Sequence, residues 1–212
     1  MKKLVLLFCL LAVAVMLGGT AIAQSTGDEA AYFVAYYSNA NTSGAPDSVV
    51  RLVNDGESSS TAVEGQPNGT LWADIYVFDD SQELQSCCSC VVTADGLLSE
   101  SVNKELTTKT FTGKHPSRGV IKIISSSNND PTNPAVAPGL RGWFTTVDAT
   151  SYAGAGTPTV KAAAPYYVTR TELHDANLGG VEANNLGTLC SYGLTIGSGA
   201  GLCHCTLEDF DF

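Results

Sequence analysis

The chain has 212 residues, 44% hydrophobic and 15% charged, with 11 Lys and Arg against 21 Asp and Glu for a formal net charge of −10. That balance excludes a basic nucleic-acid binder, because nothing in it would neutralise phosphates. Long helical bundles and wholesale disorder are excluded too, since Ala, Glu, Lys, Leu and Arg do not dominate and the apolar fraction suffices for a core.

The first segment reads as targeting rather than fold. Met1-Lys2-Lys3 is a basic start, Leu4 to Leu17 is an almost unbroken apolar run, and Ala21-Ile22-Ala23 is a cleavage signature. Residues 1–23 are therefore expected to be a secretory signal peptide, leaving 24–212 as a single exported β-rich domain. No later segment reaches about 18 consecutive apolar residues, so no membrane span is expected after cleavage. Removal of 1–23 takes two lysines and no acid, so nine basic residues face 21 acidic ones at a net charge of −12 over 189 residues. Cys9 leaves as well, and an even set of six cysteines remains. An even count in an exported chain, whether extracellular, surface or periplasmic, points to disulfides.

The mature chain then runs through a series of short strands. Glu29 to Ser38 concentrates Tyr32, Phe33, Val34, Tyr36 and Tyr37, residue types that suit a pleated, half-buried surface. Ser48 to Val53 is a second strand, closed by the turn residues Asn54-Asp55-Gly56. Thr70 to Phe78 is apolar on both faces, which predicts a central strand covered on both sides. Leu97 to Val102 is a weaker strand, and Gly119–Ser125, Leu140–Val147 and Tyr166–Thr171 are further ones. A short helical turn is expected at Thr171–Asn177. A helix is expected from about Val181 to Tyr192, with Ala183, Leu186, Leu189 and Cys190 at helical spacing and Gly193 as its stop. Strands separated by Gly, Pro, Asn and Ser loops predict an antiparallel β-sandwich or barrel with a short C-terminal helix.

The six cysteines fall in two groups: Cys87, Cys88 and Cys90, then Cys190, Cys203 and Cys205, with His204 between the last two. One reading is three structural disulfides, among 15 pairings that sequence alone leaves open. Crosslinks between the groups would close loops of about a hundred residues and contribute about 4 kcal/mol each. Adjacent Cys87 and Cys88 would point to opposite faces of a strand and so take different partners. The alternative is a cysteine-based metal-binding or redox protein, with a thiolate site for Cu or Zn built from the same six cysteines and His204, although neither group follows the C-x₂₋₄-C spacing usual for zinc. No cofactor is expected on the first reading.

Catalytic signatures are missing. There is no G-x-S-x-G elbow and no H-E-x-x-H pair. His115 reads as a solvated loop residue and His174 as lying at a possible helix start, and the carboxylates Asp74, Asp79, Asp80 and Glu83 read as solvated groups of a strand-ending turn. Trp72 and Trp143, with those acids, leave a carbohydrate-binding or hydrolytic module as a second alternative.

Several segments occur together in order: Tyr76-Val77-Phe78-Asp79, Gln82-Glu83-Leu84, Cys87-Cys88-Ser89-Cys90, Gly119-Val120-Ile121-Lys122-Ile123, Leu189-Cys190-Ser191 and Cys203-His204-Cys205. This set resembles a group of uncharacterised exported bacterial proteins with a CCxC, C, CxC cysteine pattern. The resemblance covers most of the mature chain. It implies export and a cysteine-stabilised fold, and it implies no activity. The group is expected to carry a further cysteine near Leu71-Trp72-Ala73, where this chain has none. The expected role is a non-catalytic structural or surface protein that assembles with itself as a filament or matrix subunit. The aromatic segment Tyr32, Phe33, Val34, Tyr36 and Tyr37 is the candidate for strand addition.

Overall fold

The computed structural model describes residues 30–56, 58, 66–149 and 166–196. The expected signal peptide and the tail containing Cys203, His204 and Cys205 lie outside the described residues. Eight strands are present: β1 (Tyr32–Tyr37), β2 (Val49–Asn54), β3 (Leu71–Asp79), β4 (Leu84–Val92), β5 (Leu97–Ser101), β6 (Gly119–Ser126), β7 (Leu140–Ala149) and β8 (Tyr166–Leu173). One α-helix, α1, spans Gly180–Ile196.

The strands form two four-stranded sheets, ordered β1-β6-β3-β4 and β5-β2-β7-β8. Every pairing is antiparallel. The sheets pack face to face, as the mixed apolar and polar alternation of most strands predicts. Phe33, Tyr37, Leu52, Ile75, Val77, Ile121, Ile123, Leu140 and Phe144 fill the space between them.

β3 is central and almost wholly buried, as its two apolar faces predicted. Its inner face joins the inter-sheet core. Its outer face, with Tyr76, joins a second core under α1, made with Tyr32, Cys87, Phe111, Ile124, Leu186 and Cys190. The hydroxyl of Tyr76 donates to the Pro131 carbonyl at 2.8 Å, which ties the loop after β6 to the same face.

Three local expectations change. The cysteine segment is itself a strand, β4, although Gln, Ser and Cys give it little β character in isolation. Residues 171–173 complete β8, and residues 174–177 are irregular rather than a helical turn. Gly193 does not end the helix, which continues to Ile196. A Cβ at Gly193 would lie 2.8 Å from the Phe111 ring, so this glycine lets the helix approach the aromatic side chain. Gly187 does the same against the Thr132 carbonyl, where a Cβ would stand 2.4 Å away.

Candidate functional site

β4 carries the cysteines because its period of two separates them by face. Cys87 points outward beneath α1 and forms a disulfide with Cys190, closing a sequence separation of 103 at a Cα–Cα distance of 5.8 Å. Leu186 and Cys190 are buried against the sheet, and Ala183 packs beside them. Leu189 is 44% exposed, so the helical face that docks is narrower than the spacing of apolar residues predicted.

Cys88 and Cys90 point the other way, into the core between the sheets. Both are disulfide-bonded as well, to partners outside the described residues. All four described cysteines are therefore oxidised, and none presents the thiolate that Cu or Zn coordination requires. Among the described residues, no three His, Cys, Asp or Glu side chains converge in a metal-holding group.

The four carboxylates divide. Asp79 holds the β3–β4 hairpin, accepting from the Ser81 and Glu83 amides and from the Gln85 side chain at 2.7 Å. Asp80 pairs with Arg118 at 2.7 Å and Glu83 with Lys114 at 3.8 Å, both near the surface. Asp74 overturns the expectation of a solvated turn residue. It lies mid-strand on the covered outer face of β3 and is fully buried. Burial pushes its carboxyl up to about 7, the Ser89 and Ser126 hydroxyls beside it pull weakly the other way, and Asp130 adds to the rise. Neither hydroxyl reaches its oxygens in normal hydrogen-bond geometry. The position was foreshadowed by Thr70 to Phe78, whose two apolar faces predict cover on both sides and which holds Asp74 mid-segment.

Other candidate residues do not assemble. Trp72 is only 4% exposed, which leaves no aromatic face for a sugar. Trp143 lies under the Arg170 guanidinium at 5.5 Å. The His115 ring meets the Thr107 carbonyl at 2.8 Å, and His174 is exposed just beyond β8. A polar groove of about 340 Å³ runs beside Tyr36, Asn39, Asp80, Arg118 and Asp148. In its lining the Ser38 hydroxyl donates to the Val147 carbonyl at 2.6 Å and meets the Asp148 carboxylate at 3.4 Å.

The aromatic segment of the N-terminal strand is built into the fold. β1 pairs with β6 from Tyr32↔Ile124 to Tyr37↔Gly119, with Phe33 and Tyr37 fully buried and Val34 and Tyr36 exposed. Tyr32 donates to Glu182 of α1, and Lys122 pairs with the same carboxylate at 2.5 Å and holds it below the usual range. The opposite situation holds at β8. Its outer side has no neighbouring strand among the described residues. Six consecutive residues, Tyr167 to Glu172, are exposed on both faces.

In comparisons with protein families, curated proteins and solved structures, nothing matches this chain. No described helix is long and apolar enough to cross a membrane. A buried disulfide fits an oxidising compartment.

Proposed function

We propose that the protein is a non-catalytic exported structural or surface component that assembles with copies of itself by strand addition. The observation that carries this reading is the open edge at β8. An edge strand with six exposed residues, Tyr167 to Glu172, and no further strand beside it among the described residues offers its backbone donors and acceptors to another chain. It contains no proline and no lysine, residues that commonly blunt such edges.

Addition by the N-terminal segment is the second route within the same reading. β1 of one copy would leave its place beside β6 and fill the identical place in a neighbour. Withdrawal exposes Phe33 and Tyr37, and Phe33 alone would cost about 1.5–3 kcal/mol until the exchange is complete. The β8 edge needs no such opening and is the lower-cost route.

The cysteines support a structural role. In this proposal Cys88 and Cys90 pair with Cys203 and Cys205, so all three cysteines of β4 are joined to the C-terminal part of the chain. Peptide mapping without reduction should then find peptides 87–90 linked both to Cys190 and to the 203–205 segment, with no free thiol in the mature protein. Light scattering of natively purified protein tests assembly itself. Mass should rise with concentration. A single-chain mass at every concentration would remove the reading.

A further inference from the structure

We propose that β8 joins two copies of this chain through an antiparallel, two-fold edge contact centred on Thr171, with Arg170 of each copy opposite Glu172 of the other. The inference rests on the self-assembly reading above and specifies its surface, symmetry and register.

The edge comes first. β8 pairs only with β7 among the described residues, from Gly142↔Leu173 to Ala149↔Tyr166. Among the described residues its other side has no neighbouring strand, and the exposure of Tyr167 to Glu172 on both faces means that neither the second sheet nor the helix covers it. Tyr167 and Val168 are each 52% exposed. Two copies of a free edge can continue one sheet, and a two-fold axis makes the contact self-complementary.

The register follows from charge. In an antiparallel pair, directly opposite side chains share a face. A two-fold axis through the pair must therefore pass beside a residue that faces its own copy. Arg170 and Glu172 lie on one face of β8, opposite Thr145 and Trp143 of β7. Neither has an ion-pair partner among the described residues. The Arg170 guanidinium carbon lies 5.5 Å over the Trp143 ring, a contact that is compatible with a carboxylate at the donors of the same fork.

Three centres can be compared. A centre at Arg170 sets Arg170 against Arg170, a like-charge pair that opposes contact. A centre at Thr169 sets Arg170 against Val168 and Glu172 against Tyr166, so both charges stay unpaired. A centre at Thr171 sets Arg170 against Glu172 twice. The paired stretch then runs from Thr169 to Leu173. It stops where the chain leaves the sheet, as Ala176 donates to the Tyr32 carbonyl and Asp175 accepts from the Tyr32 amide.

The test uses the full mature, oxidised chain. Thr171→Cys should form a disulfide-linked dimer under mild oxidation, because opposed Cα atoms in an antiparallel pair lie about 4.5–5.5 Å apart. Thr169→Cys should not, since those residues would be separated by four positions along the strand, roughly 13 Å. Charge exchange supplies the second arm. Arg170→Glu and Glu172→Arg should each weaken dimerisation about tenfold or more, and the double exchange should restore it. Crosslinking through Thr169→Cys instead of Thr171→Cys overturns the register. Concentration-dependent mass with no crosslink at either position, or with no effect of the charge exchanges, overturns the β8 contact while leaving self-assembly standing. A single-chain mass throughout overturns both.

Discussion

β4 and β8 are both edge strands, one on each sheet, and the molecule treats them in opposite ways. β4 is shielded. α1 lies over its outer side, Cys87 is bonded to that helix, Cys88 and Cys90 are bonded from the inner side, and a register shift at Val77/Phe78 interrupts its pairing with β3. Bulges and covering elements are the usual means of keeping an edge from pairing with strangers. Among the described residues β8 has none of these. Of these two edges, one is tied down by covalent bonds and the other is exposed along Tyr167 to Glu172.

The largest effect should come from undoing the closed edge. With the proposed bonds of Cys88 and Cys90 to Cys203 and Cys205 still closing the long loop, replacement of Cys87 and Cys190 by Ser together should cost about 3 kcal/mol, the chain-entropy value for the shorter loop of roughly 15 residues that this bond closes. Chemical denaturation under non-reducing conditions reads this directly as a fall in the unfolding midpoint. A change under about 1 kcal/mol would mean that α1 is held by packing and not by the crosslink.

Asp74 sharpens the same contrast, because it sits under the covered face. Its carboxyl is raised from an ordinary 3.8 to about 7, so the folded protein binds this proton more tightly than the unfolded chain does. The associated stability is fully present below about pH 4 and is lost as pH rises through about 7. The difference is on the order of a few kcal/mol. Urea midpoints should therefore fall between pH 5 and pH 8.5 in the natural protein, and Asp74→Asn should flatten that slope. A slope unchanged in the variant would assign the pH dependence elsewhere.

A smaller effect is expected where α1 meets the loop after β6. Gly187→Ala gains helix propensity but drives a Cβ toward the Thr132 carbonyl. Overpacking of this kind costs roughly 1–3 kcal/mol, so the variant should be less stable by about 1 kcal/mol. Gly180→Ala, at a position with open space around it, should be neutral or slightly stabilising, with both variants read by their urea midpoints. The smallest effect on stability belongs to the open edge. Thr171→Lys should change the melting temperature hardly at all, within about 0.5 kcal/mol, yet the like charges it sets face to face at the two-fold axis should suppress concentration-dependent mass.

Much of the fold was legible from residue patterns. β3 announced itself by apolar residues on both faces, and β6 and β7 by β-branched and aromatic runs. Those signals depend on burial, which is local to each strand. β4 was hidden because its strand character comes from its neighbours β3 and from the crosslinks, while its own Gln, Ser and Cys residues are weak strand formers. Gly193 misled for a similar reason. A glycine inside a helix looks like a stop until the Phe111 ring that requires it is in view. Leu189 fitted the helical spacing, but spacing cannot tell a docked face from the exposed stripe it forms with Val181, Tyr192 and Ile196. The division of the cysteines by face was readable from their adjacency, whereas the open edge at β8 follows from sheet order, which no single segment encodes.

Hydrogen exchange of the backbone amides of β4 and β8, measured on oxidised protein in dilute and concentrated solution, tests the central contrast most directly. The account predicts slow exchange in β4 at both concentrations, with β8 fast when dilute and protected when concentrated. Equal protection of β8 at both concentrations would contradict it.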